Sequence, residues 1–216
     1  MLEFAAALLV FLLAHSLPAR LGLKDRLVAR VGRGPYLAGY SILSVALLAW
    51  LVDAARRAPV VPLWYPAPWQ AWIPLLAMPV AAVLLVAGLV QPNPLSITLR
   101  AGETPGAIVR LTRHPVLWGF LVWALSHVPP NGDLVSLVLF GGMAAFAALG
   151  MPLLDRRARL RLGDARWRAL AKPGVTGAGW SGLALAALAA LALYAWFLVH
   201  GHAWLIGVDP TAWIAG

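Results

Sequence analysis

Five histidines, His15, His114, His127, His200 and His202, are the residues of this sequence best suited to chemistry. A neutral imidazole binds haem iron and other transition metals well. All five stand in or beside long apolar runs. Ionisable groups are costly there and tend to be functional. The plainer role for any one of them is a histidine at a helix end, wetted by lipid headgroups. His127 follows Gly119 and Trp123 at a spacing that puts all three on one helical stripe. A small residue, a flat aromatic and a ligand suit a planar cofactor lying against the helix. The same stripe equally suits a helix–helix seam that uses Gly119 for close approach. His114 stands in Thr112-Arg113-His114-Pro115. Proline fits a first helical turn, where its missing N–H would be unpaired anyway. Arg113 and the free N–H groups of that turn suit an anion, and an arginine there also serves as a plain topological anchor. His15 precedes Ser16, with Phe11 one turn back on the same face.

Other chemistries are missing from the sequence. There is no cysteine, so no disulfide, thiolate nucleophile or thiolate metal ligand is available. No P-loop, GxGxxG or HExxH pattern occurs. Asp25, Asp53, Asp155 and Asp164 are expected in loops, which argues against a carboxylate-lined ion path. Two polar segments, Pro92-Asn93-Pro94-Leu95-Ser96 and Asn131-Gly132-Asp133, read as turns.

The elements that must hold these residues are set by composition. Of the 216 residues, 62% are hydrophobic and 12% charged. A soluble domain is about 45–50% apolar and about 25% charged. The excess implies a lipid bilayer as solvent. Six apolar runs stand out: Leu2–Leu17, Pro35–Val52, Ala71–Gln91, Pro115–Pro130, Leu134–Leu154 and Trp180–Leu198. They predict an all-α bundle of six transmembrane helices in a single domain, residues 1–216. The first run carries Glu3 and no basic start, so it reads as a retained helix rather than a signal peptide.

Charge tests this topology. The formal net charge is +9, which in a soluble protein would suggest nucleic acid. Here the basic residues alternate between loops. Arg20, Lys24, Arg26, Arg30 and Arg33 lie between the first two runs. Arg100, Arg110 and Arg113 lie between the third and fourth. Arg156, Arg157, Arg159, Arg161, Arg166, Arg168 and Lys172 lie between the last two, leaving only Arg56 and Arg57 elsewhere. Cytoplasmic loops hold the Lys and Arg excess, so the rule places both termini outside. The charge is therefore topological, and no nucleic-acid partner is expected. Trp64, Tyr65, Trp69 and Trp72 crowd an outer loop and its boundary, as interfacial aromatics do. With Pro59, Pro62, Pro66 and Pro68, that loop is expected to be extended.

Depth then sorts the histidines. His15 and His114 share the inner level, and His127, His200 and His202 the outer. His114 and His127 are about 20 Å apart along a helix. Two ligands of one iron each sit about 2 Å from it. Depth alone pairs His127 with His202, or His15 with His114.

The ordered series His15-Ser16, Asn93-Pro94, Thr112-Arg113-His114-Pro115, Trp118, Ser126-His127, Asn131-Gly132-Asp133-Leu134, Ser136, Phe140-Gly141 and His202-Ala203-Trp204-Leu205-Ile206-Gly207-Val208 resembles the NnrU family over nearly the whole chain. The resemblance implies a bacterial inner-membrane, multi-pass protein linked to nitrogen-oxide metabolism in denitrification. The plant zeta-carotene isomerases belong to the same superfamily. They are described as haem b proteins that isomerise a cis double bond by a redox-switched mechanism. Their proposed histidine ligands correspond to His15 and His127, which implies haem iron on that pair. Their alternative cysteine ligand corresponds to Ala124, so that exchange is not available to this chain.

A second resemblance is carried by Arg113-His114-Pro115, Arg161-Leu162-Gly163-Asp164 and Trp167-Arg168. It is similar to membrane methyltransferases that use S-adenosylmethionine on isoprenylcysteine or phospholipid amines. There the acidic position falls at best on Asp155 and the aromatic on Trp167.

Three functions follow. The first is an NnrU-type membrane protein that binds haem b and acts in nitrogen-oxide or carotenoid-isomerase-like redox chemistry on a hydrophobic small molecule. Its cofactor-binding candidates are His15, His114, His127, His202, Arg113 and Trp123. The second is a methyltransferase with a lipid-like substrate. The third is a non-enzymatic accessory protein of a membrane redox complex.

Overall fold

A computed structural model describes residues 1–171 and 179–212, so Lys172 of the last basic loop lies outside the described residues. The helices are α1 (Leu2–Arg20), α2 (Leu23–Val31), α3 (Arg33–Arg57), α4 (Trp72–Val90), α5 (Pro115–His127), α6 (Leu134–Leu162), α7 (Asp164–Ala171), α8 (Trp180–Trp196) and α9 (His202–Ile206). Short 3₁₀ turns, Pro68–Ala71 and Ala107–Arg110, lead into α4 and towards α5. A π-helical turn, Phe197–Gly201, joins α8 to α9. Among the described residues no strand forms, and Pro62 and Asp133 make one isolated antiparallel bridge.

Each apolar run becomes a helix because in hydrocarbon a backbone must satisfy its own polar groups. Four helical stretches are long and apolar enough to cross a membrane: Arg33–Arg57, Pro68–Val90, Leu134–Leu162 and Trp180–Ile206. The pair Leu2–Pro18 and Leu23–Val31 passes the same test as one span bent by 71°, and Pro115–His127 is a shorter apolar helix. Large apolar side chains on the outside of these helices, such as Leu188 and Leu193 on α8, are exposed as lipid-facing residues are.

The chain divides into two compact units. The first contains residues 1–63 and 133–139. Here α1 lies against α3, with Phe4, Ala7 and Leu8 buried on one helix and Leu51 and Ala54 on the other. Glu3 accepts a hydrogen bond from Arg57 at 2.9 Å and one from Trp50 Nε1 at 3.4 Å. The bend between α1 and α2 turns on Gly22, and the step from α2 to α3 on Gly32. Both have positive φ, +63° and +85°, which glycine adopts without the Cβ penalty.

The second unit contains residues 64–132 and 140–216. In it α4 packs against α5 and α8. Glycines permit the close approach of α4 and α5. A Cβ on Gly88 would meet Val116 and Pro115, and one on Gly119 would meet Leu85 and the Ala81 carbonyl. Tyr194 of α8 donates to the Leu75 carbonyl of α4 at 2.9 Å.

One expectation is corrected. Asp25, Asp53, Asp155 and Asp164 are in helices α2, α3, α6 and α7, not in loops. Charge ends a membrane span without ending a helix: α6 runs on to Leu162, past the apolar run that closes at Leu154.

Candidate functional site

Two sites in the second unit gather the polar residues singled out above. The first is a hub where α4 gives way to loop. Pro92 and Pro94 end α4 because neither can donate to a helix or strand. Asn93 between them is 3% exposed. Its Oδ1 accepts from the Leu95 N–H at 3.0 Å, and its Nδ2 donates to the Arg113 carbonyl at 2.9 Å. The turn residue thus also fixes the start of α5. Thr98 continues the tie, donating to the Gln91 carbonyl at 2.7 Å.

Pro115 opens α5 as expected, and His114 caps it. His114 is 3% exposed. Its Nδ1 lies 2.9 Å from the Ser96 hydroxyl. Its Nε2 lies 3.2 Å from Asp155 Oδ1, without the alignment of a hydrogen bond. Burial lowers the His114 pKa against the pull of the nearby carboxylate, which keeps the ring neutral at pH 7. Arg113 meets Asp155 of α6 with two donors, Nε at 3.3 Å and a terminal nitrogen at 2.9 Å. Its guanidinium stands 5.6 Å from the Trp167 ring centroid, and Arg159 lies closer, at 3.8 Å. Arg161 donates to the Pro94 carbonyl. The anion that Arg113 was expected to attract is here the protein's own Asp155.

The second site surrounds His127 at the far end of α5. Its Nδ1 lies 2.7 Å from the Trp123 carbonyl. A carbonyl only accepts, so Nδ1 carries the proton and the neutral ring keeps its lone pair on Nε2. Among the described residues Nε2 has no hydrogen-bond partner. Phe140 of α6 lies 5.1 Å from the His127 ring and 5.4 Å from Trp123. Asn131 donates to the His127 carbonyl at 2.7 Å. The predicted stripe is divided in use. Gly119 serves the α4 seam, whereas Trp123 and His127 face the aromatic group. His202, at the start of α9, is within electrostatic reach of His127 and packs edge-on to Phe197. Its Nδ1 is likewise held by a carbonyl, that of Val208, at 2.7 Å. His200 is exposed.

His15 belongs to the first unit. It repeats the His127 arrangement: Nδ1 is 2.7 Å from the Phe11 carbonyl one turn back, Phe11 stacks at 4.2 Å and Tyr40 approaches edge-on at 5.7 Å.

A histidine anchored through Nδ1 with Nε2 free is how metal-bound imidazoles are held. Among the described residues no three His, Asp or Glu side chains gather into a metal cage. Haem brings its own ring nitrogens and asks the protein for axial ligands only. His15, His127 and His202 each fit that demand.

Sequence reasoning missed two members of the hub's surroundings, Ser96 as the partner of His114 and Gln91, whose Oε1 accepts from the Ile108 N–H at 2.9 Å. No local pattern marks either pairing. No curated protein and no solved structure matches the chain. One family model, described as NnrU protein, matches residues 3–210, and the chain belongs to the NnrU family.

Proposed function

We propose that this NnrU-family protein binds haem b in a bacterial inner membrane and uses it in redox chemistry. The carrying observation is the free Nε2 of His127, with Nδ1 fixed by the Trp123 carbonyl and Trp123 and Phe140 beside the ring. His127 is the ligand common to both pairings. The resemblance to the zeta-carotene isomerases supplies His15 as its partner, and electrostatic proximity supplies His202. Bound haem supplies one-electron chemistry. If haem binds, the chain would hold the imidazole tautomer and raise the basicity of Nε2 through the Nδ1 bond, with Trp123 and Phe140 beside the ring.

The same reading takes the chain across the membrane six times, with both termini outside. The spans are α1, α3, α4, α5, α6 and α8, with the basic α2 in the first cytoplasmic loop. The basic residues then fall on the cytoplasmic side. The family's link with nitrogen-oxide metabolism favours a role there, with carotenoid-type isomerisation of a hydrophobic molecule as the related activity.

The test is an absorption spectrum of detergent-purified protein expressed with haem supplied, first oxidised and then reduced with dithionite. A Soret band that shifts on reduction and vanishes in His127→Ala is expected. Comparing His15→Ala with His202→Ala assigns the second ligand. A flat spectrum from folded protein overturns the proposal.

The convergence of Arg113, Asp155 and Trp167 favours one alternative, a methyltransferase acting at the cytoplasmic face. It requires S-adenosylmethionine binding that weakens in Arg113→Ala. Titration calorimetry with no binding at millimolar ligand removes it.

A further inference from the structure

Beside the hub, α4 and α8 border an open cleft of about 500 Å³ in the second unit. Its walls are apolar and small: Val86 and Val90 on α4, and Gly182, Leu185, Ala186 and Ala189 on α8. Two polar groups stand at one end.

Gln91, just past the end of α4, is 6% exposed. Its Oε1 is engaged by the Ile108 N–H, which fixes the orientation of the amide. Nε2 therefore turns towards the cleft, 4.0 Å from where a Cβ on Gly182 would stand, and has no acceptor among the described residues. The nitrogen is reachable from the cleft, so a ligand oxygen there can accept from it. Arg100 lines the same end, is exposed, and has no carboxylate partner among the described residues. The nearby Glu103 is taken by Arg166 at 2.8 Å.

We propose that this cleft binds an anionic amphiphile. Its phosphate or carboxylate head accepts from Gln91 Nε2 and pairs with Arg100. Its hydrocarbon chain lies along Gly182, Ala186 and Ala189, where the absence of larger side chains leaves room. A neutral head would leave Arg100 unused, and a soluble anion would leave the apolar walls unused. The volume is in the range of small-molecule sites, about 300–1,000 Å³. The inference stands apart from haem, since no histidine lines the cleft.

The test uses the full-length protein in a neutral detergent, titrated by calorimetry with dodecyl phosphate and, separately, with dodecanol. Saturable dodecyl phosphate binding is expected. Arg100→Gln should weaken it about tenfold, the size of one charge-assisted contact, and leave dodecanol unchanged. Ala189→Leu fills the cleft and should weaken both. Gln91→Glu keeps the acceptor for Ile108 but removes the donor, and should weaken dodecyl phosphate only. Native mass spectrometry from phosphatidylglycerol and phosphatidylcholine nanodiscs separates the sources. Retained phosphatidylglycerol that is lost in Ala189→Leu identifies a bilayer lipid, and binding of dodecyl phosphate alone identifies a free single-chain ligand. No saturable binding, or equal affinity in wild type, Arg100→Gln and Ala189→Leu, overturns the proposal. Arg100 is exposed and Ala189 faces outward, so neither variant depends on a core residue.

Discussion

The two ends of α5 carry a histidine each, and the protein treats them in opposite ways. His114 sits beside both a hydroxyl and a carboxylate, in a hub where Asn93, Arg113 and Asp155 satisfy one another. His127 has one nitrogen tied to its own helix and the other left open among aromatic rings. The first arrangement uses polar groups to position backbone, since bonds in it link the Asn93 turn to Arg113 and Arg113 to α6. The second fixes a single ring and keeps its lone pair available. A polar group set among partners from other segments is structural, and one held only by its own helix among aromatic rings is open to a ligand.

The largest expected effect separates these roles outright. His127→Ala should abolish the haem spectrum while the unfolding temperature in detergent moves little. If the variant instead unfolds as readily as a hub variant, the contrast between the two ends fails.

Asn93→Ala should do the reverse. It leaves the Leu95 N–H and the Arg113 carbonyl unmet, at a cost of about 3 kcal/mol in a denaturant titration. Haem per folded molecule should be unchanged. Arg113→Ala should cost less, about 2 kcal/mol, because the arginine side chain is 41% exposed and partly screened. Arg113→Lys should recover little of this, since an ammonium cannot reproduce the two-donor grip on Asp155.

A pH series sharpens the comparison further. The His114 pKa is lowered in the folded protein, so the unfolded chain binds the extra proton first as pH falls. Stability should therefore decline as pH drops below about 6.5, the ordinary imidazole value. His114→Gln should flatten that part of the profile, and an unchanged slope would remove His114 as its source. The smallest effect belongs to Tyr194→Phe, which loses one hydrogen bond to Leu75, about 1 kcal/mol by thermal unfolding.

The helices were legible in the sequence because hydrocarbon leaves a backbone few other choices. The His127 anchoring was half legible: Trp123 stands one turn back, and only the carbonyl bond needed coordinates. The hub was harder to read. Arg113 and Asp155 are 42 residues apart, and nothing local links them. The charge rule that fixes topology treats each loop arginine as an anchor, so it hides the one that grips a carboxylate. Asp155 was concealed in turn by the expectation that helices stop where apolar runs stop.

The π-helical turn at Phe197–Gly201 has a bearing on His202 that can be stated as counting. Such a turn holds one residue more than an α-turn. Deleting a single residue there would restore the regular helix and leave everything beyond it close to its present direction, because the wide turn closes about the same rotation as an α-turn with one residue fewer. The wide turn thus absorbs one residue, and the aim of His202 does not depend on it. A one-residue deletion between Phe197 and Gly201 should leave that imidazole aimed much as before, whereas a one-residue deletion within α8, where no wide turn can absorb it, should swing it by about 100°.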